Sequence, residues 1–173
     1  DLKKGKPIIL VDNEDRENEG DMVLSAEKAS VEWINFIIKE ARGLMCAPIT
    51  KEVANKLGLP PMVERNTDPH GTAFTVSIDA NEGTTTGISA SDRTITVQKM
   101  ASHKAKADDF HRPGHIFPLV AKDGGVLVRA GHTEGSVDLM KIAHLAPVAV
   151  ICEILKEDGD MARLPDLIEI AKK

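Results

Sequence analysis

The stretch Asp12 to Asp21 (DNEDRENEGD) sets six carboxylates and one arginine within ten residues. Carboxylates at this density either disperse on a solvated turn or, if forced together, share protons or bind a cation. Apolar segments on both sides pin the ends of the stretch, and Gly20 permits a tight turn that returns Asp21 toward Glu17. A calcium-binding EF-hand loop is excluded. Its sixth position is glycine and its flanks are helical, whereas the sixth residue here is Glu17 and the flanks read as strands.

A second group is Arg129 to Gly135 (RAGHTEG), in front of a helical pattern. Small residues let a backbone approach a ligand, and a helix N-terminus offers free N–H groups to an anion. Arg129 adds a planar donor fork and Thr133 a hydroxyl, a pairing suited to a phosphate monoester, and His132 between them can reach a metal. A capped helix with a surface arginine is the alternative. Glu153 interrupts the apolar run VAVICEIL, where a carboxylate must be paired, protonated or turned to a cleft. His111 and His115 have the spacing of a helical zinc pair, but Pro113 and Gly114 between them break an ordinary helix. His115 is therefore read as the start of a strand, facing a cleft or merely structural. The segment EGTTTGISASDR has the amides to cradle an anion, yet fits neither the Walker nor the dinucleotide pattern, and Asp92 in it reads equally as a helix cap.

Short apolar runs and helical patterns alternate along the chain. Strands are predicted over Pro7–Val11, Met22–Leu24, Leu44–Ile49, Ala73–Ile78, His115–Ala121, residues 126 to 130 and Val148–Leu155. Helices are predicted over 31–42 with Ser30 as N-cap and Gly43 past the end, over Thr50–Leu57 closed by Gly58, over about 93–101, from near Ser136 through Ala146, and from Pro165. Residues 59 to 72 read as an irregular loop. The expected fold is α+β, a three-layer arrangement with a mixed β-sheet covered by helices.

The 173 residues suit one domain spanning 1–173. Lys and Arg number 22 and Asp and Glu 27, a net charge of −5 that equals the sum over Asp12–Asp21 alone, so the rest of the chain is neutral. Apolar residues make up 42%, too many for disorder, and no apolar run suggests a membrane span or a signal-peptide core. Five aromatics and no basic excess argue against nucleic acid. Cys46 and Cys152 form neither a disulfide framework nor a zinc spacing, which points to a reduced, cytoplasmic protein.

Four motifs in this order, DNEDRENEGDMVL, GTAFTVSIDANEGTTTGISASDR, HRPGHIFPL and RAGHTEGSVDL, resemble 3,4-dihydroxy-2-butanone-4-phosphate synthase of riboflavin biosynthesis over essentially the whole chain. The resemblance implies a carbon–carbon lyase that converts D-ribulose 5-phosphate to L-3,4-dihydroxy-2-butanone 4-phosphate and formate. It further implies a metal-stabilised enediolate, a skeletal rearrangement, and a cytoplasmic homodimer with active sites near the subunit interface. By the same resemblance Glu17 and His132 are metal ligands, and Arg16, Glu17, Asp21, Arg129, Ala130, Gly131, His132, Thr133 and Glu153 contact substrate. His115, Glu153, Asp21 and Cys46 are the implied catalytic residues, the first three for acid–base work and Cys46 as a residue lining the pocket. Carboxylate ligands suit magnesium, and a histidine ligand equally suits manganese, so the implied cofactor is Mg2+ or Mn2+.

Overall fold

The computed structural model describes residues 1–172. Six strands form one sheet: β1 (Ile8–Val11), β2 (Gly20–Ser25), β3 (Cys46–Ile49), β4 (Ile78–Ala80), β5 (Phe110–Val120) and β6 (Ala149–Glu153). They lie in the order β1-β2-β6-β3-β5-β4. The β3–β5 pair is parallel and the other pairs are antiparallel, so the sheet is mixed as expected.

Alternation along each strand sorts side chains onto two faces. Met22, Leu24, Ala47, Ile49, Val150 and Cys152 enter a core shared with α1 (Val31–Glu40), α2 (Lys51–Lys56), α3 (Ala90–Ala101) and α5 (Leu164–Ile170). Val23, Cys46, Ala149 and Ile151 face the other way, onto Met140 of α4 (His132–Ile142). Helices thus cover both faces, giving the three layers.

Local chemistry explains most element ends. Ser30 accepts the Trp33 amide at 3.2 Å and starts α1, and Thr50 accepts the Val53 amide at 3.3 Å and starts α2. Gly58 closes α2 with φ of 59°.

Several expectations are corrected. Residues 126 to 130 form no strand; a 3-10 turn occupies Gly125–Leu127 instead. The Asp138 carboxylate accepts the Val126 amide at 2.9 Å, and Gly125, at φ of 61°, passes so close to it that a Cβ would collide. The glycine pair therefore wraps a carboxylate, and the β propensity of Val-Leu-Val is overridden. The helix expected near Ser136 begins a turn earlier, at His132, because its first turn is buried through polar side chains that carry no apolar period. The alternation of Ala73–Ile78 yields isolated bridges, Phe74 to Leu119 and Thr75 to Pro61, and only Ile78–Ala80 forms a strand. α3 starts at Ala90 with Ser89 as its N-cap, so Asp92 is not the cap.

Candidate active site

Strand parity builds the floor of the site. Asp21 pairs with Glu153 across β2 and β6, and Cys46 pairs with Ile151 across β3 and β6. All four lie on the α4 side of the sheet, and they line a cavity of about 140 Å³ with Arg16, Glu17, Arg129, His132 and Thr133. A neighbouring cleft of about 410 Å³ shares Arg16 and His132 and adds Ala130 and Gly131. The structure thus gathers the sequence-predicted site residues into two adjoining spaces, with one exception: His115 lines neither.

The acidic loop folds around Asp12. Its carboxylate accepts the amides of Glu17 at 3.1 Å and Glu19 at 2.9 Å, and the Arg16 guanidinium at 2.8 Å. Burial opposes ionisation of Asp12, but these donors outweigh it and hold its carboxyl below the usual range. The left-handed residue of the turn is Asn18, at φ of 56°, while Gly20, expected to permit the turn, is the first residue of β2. Gly20 is needed for another reason: a Cβ there would run into the Leu167 side chain of α5. Arg163, the residue before α5, clamps the loop by donating to the carbonyls of Glu17 and Asn18.

One ligand atom from each of Asp12, Glu17 and His132 lies within 4.8 Å of the others, a set able to hold a metal ion. The chemistry of the donors fits a divalent cation. Burial pushes the His132 imidazole below its ordinary value of 6.5, so the ring is neutral near pH 7 as a metal ligand must be. Its Nε2 is buried without a hydrogen-bond partner, and its Nδ1 lies 3.5 Å from Glu17 Oε2. Arg16 donates to Glu17 at 2.6 Å as well as to Asp12, balancing part of the charge of the cluster.

Asp21 is 3% exposed, and its Oδ1 has no partner. Burial, then the charges of Glu153 and Glu17, raises its carboxyl well above the usual range. Opposite it, Glu153 Oε2 accepts the Leu44 amide at 2.8 Å. Gly43 lets the chain come this close, since a Cβ there would strike the Glu153 carboxylate and carbonyl. Burial also pushes the Cys46 thiol above its ordinary range, which suits a cavity wall and not a nucleophile.

Arg129 is largely committed within the protein. Its Nη1 donates to the buried Glu134 carboxylate at 2.6 Å, its Nε to the His70 carbonyl at 3.0 Å and its Nη2 to the Thr72 hydroxyl at 3.1 Å. One N–H on each terminal nitrogen remains for a ligand beside the N-terminus of α4. Glu134 also accepts the Lys122 amide at 2.9 Å.

His115 sits on β5, where its Nδ1 lies 2.6 Å from Asp79 Oδ2 and its amide donates to Asp79 Oδ1 at 2.8 Å. The Gly/Thr segment cradles no external anion. Its own Asp92 fills it, accepting the amides of Thr85 at 3.1 Å and Gly87 at 2.9 Å and the Thr85 hydroxyl at 2.8 Å. Sequence reasoning missed Asp12 as a possible ligand, as well as Asp79, Glu134 and Arg163. Asp79 and Arg163 meet partners distant in sequence, Asp12 is hidden among like residues, and Glu134 pairs with an arginine only five residues away that was read as a phosphate contact.

The family model of 3,4-dihydroxy-2-butanone 4-phosphate synthase matches residues 1–173. The 3,4-dihydroxy-2-butanone 4-phosphate synthase of Wolinella succinogenes is 59% identical over 172 residues, covering 99% of this chain and 49% of that protein. The riboflavin biosynthesis protein RibBA of Bacillus subtilis is 61% identical over 172 residues, covering 99% of this chain and 43% of that protein. The chain therefore spans less than half the length of either relative. Among solved structures, a 3,4-dihydroxy-2-butanone 4-phosphate synthase in complex with two magnesium ions superposes with a TM-score of 0.94 at 42% identity, covering 99% of this chain and 85% of that one. RibBX, a two-domain synthase from A. baumannii, gives 0.95 at 50% identity, covering 99% of this chain and 51% of that one. With the match running the length of the sequence, the chain belongs to the 3,4-dihydroxy-2-butanone 4-phosphate synthase family.

Proposed function

We propose that the chain converts D-ribulose 5-phosphate to L-3,4-dihydroxy-2-butanone 4-phosphate and formate, as a divalent-metal-dependent lyase of riboflavin biosynthesis. The observation that carries this reading is the junction of a cation-ready cluster, Asp12, Glu17 and His132, with a cavity floored by the facing carboxyls of Asp21 and Glu153. Glu17 and His132, with Asp12 close by, would hold magnesium or manganese, which would supply Lewis acidity to the substrate when bound. Magnesium is consistent with the relative that carries two such ions.

The residues divide the remaining work. Asp21 or Glu153 takes the C3 proton, the two facing each other across β2 and β6. Thr133, the free N–H groups of Arg129 and the N-terminus of α4 bind the phosphate, with Ala130 and Gly131 leaving room for it. Anchoring through the unreactive phosphate leaves the reacting carbons over the carboxyls. Cys46 closes the wall.

His115 donates a proton as the C1 hydroxyl departs. It is half-buried and lies outside the cavity of its own copy, which supports a homodimer in which His115 of the partner subunit completes each site. Exposed apolar residues at the neighbouring cleft suit such contact: Val11 and Val126 line it, and Leu127, the residue after Val126, is 95% exposed. The reduced state read from Cys46 and Cys152 supports a cytoplasmic location.

Formate assay with ribulose 5-phosphate and magnesium tests the reading. Formate released with the metal and abolished by EDTA is the expected result. Sugar rearrangement without formate, or turnover indifferent to EDTA, overturns it.

A further inference from the structure

We infer that Asp79 is the positioning residue for His115, and that the Gly/Thr segment ending at Asp92 exists to hold this pair; the inference rests on the acid–base role proposed for His115. Asp79 grips His115 at two points, the backbone amide and ring Nδ1. A ring held through Nδ1 turns Nε2 outward and cannot exchange its two nitrogens without breaking the contact. The side chain is 42% exposed, so the outward nitrogen is open to a substrate or a second copy.

Everything around Asp79 restrains it. The amide of Ala80 donates to Thr96 at 3.0 Å and its carbonyl accepts from Thr84 at 2.6 Å, fixing the backbone that follows. The pairing of β4 with β5 slips between Ile78 and Asp79, from Ile116 to His111, so residues 112 to 115 bulge toward the Asp79 carboxylate. Gly114 makes this possible, because a Cβ there would collide with the backbone of Ile78 and Asp79. On the far side Gly87, at φ of 94°, lies so close that a Cβ would strike the Asp79 carboxylate and come within 2.6 Å of His115 Nδ1. The buried carboxylate of Asp92 holds the Gly87 amide, so Asp92 braces Gly87, and Gly87 walls in the pair.

The test uses the full chain labelled with 15N-histidine. In the unaltered protein Nδ1 is expected to keep its proton toward Asp79 whether or not Nε2 carries the proton that His115 donates, so no Nε2–H-only tautomer should be seen. Asp79→Asn should shift the ring to a tautomer mixture and lower kcat about 10–100-fold with KM little changed, while Asp79→Glu restores part of kcat. If Asp79→Asn does not fold, Asp79→Ser is read in the same way. Gly87→Ala should perturb the same ring resonances. A ring signature unchanged in Asp79→Asn, or a changed signature with unaltered kcat, overturns the inference. Full turnover in His115→Gln instead overturns the acid–base role of His115, a result distinct from an uncoupled ring.

Discussion

At the scale of single residues, the site opposes two demands. The Asp21 carboxyl is held well above 3.8 by burial and by Glu153 and Glu17, so the folded chain binds this proton more tightly than the unfolded one. Its contribution to stability is present below about pH 3.8 and is lost as pH rises through the raised folded value. At neutral pH the fold bears the cost as a buried charge or as a proton taken up. Asp21→Asn removes it, and in urea titrations at pH 7 the metal-free variant should gain on the order of 1–3 kcal/mol while losing turnover. A less stable variant would refute this account. The metal ligands lead to a second prediction. Glu17→Gln and His132→Ala should lose activity mainly through weaker cation binding, read by calorimetry and by partial recovery as magnesium or manganese is raised. Ordinary activity at ordinary magnesium in either variant refutes the role. His132 is displaced in the opposite sense from Asp21: burial lowers its pKa, so its neutral form persists further toward acid than that of a free histidine.

At the scale of elements, precision comes from close approaches. α5 leans Leu167 on Gly20 while Arg163 holds the carbonyls of Glu17 and Asn18, so a helix far along the chain sets the curve of the acidic loop. Gly20→Ala should cost about 1–3 kcal/mol by overpacking, measured in urea, and should weaken cation binding at Glu17. Unchanged stability and affinity would show that Leu167 yields freely. This is also where reading from sequence reached its limit. The 3.6-residue period of Ile34, Ile37 and Ile38 and the cap at Ser30 located α1 well, because both signals are local. Val126 to Val128 misled, since the carboxylate that bends them, Asp138, lies a dozen residues on in α4. The first turn of α4 was invisible to periodicity because Thr133 and Glu134 are buried for polar reasons. Glu17, His132, Asp21 and Glu153, flagged by residue type and motif, come together in one cavity, whereas Asp79 was not flagged: one acid just past an alternating stretch carries no mark of the histidine it meets across a slipped register.

At the scale of the whole molecule, the cavity and His115 stand apart within one copy, so activity is expected to belong to the pair of subunits. Mixing inactive His115→Gln with inactive Glu153→Gln under subunit exchange should restore formate release, because one site of each mixed dimer then receives both intact groups. No recovery despite exchange, followed by native mass spectrometry, would place both groups in the same subunit. The −5 charge acquires a location in this setting: it belongs to a loop drawn around Asp12 and Arg16 at the mouth of the cavity, not to the general surface. The facing of Asp21 and Glu153 across β2 and β6 has a further consequence, for how such a chain can change in length. A strand reads its side chains in twos, so losing or gaining one residue inside Gly20–Ser25 or Ala149–Glu153 would send a carboxyl to the opposite face, among Met22 and Cys152. The turn between Asn13 and Asn18 escapes that parity but is fixed in length by Glu17 and by the amides that Asp12 accepts, so tolerance falls to other loops. Indels are therefore expected to accumulate in loops and spare these two strands, however freely their apolar residues are exchanged.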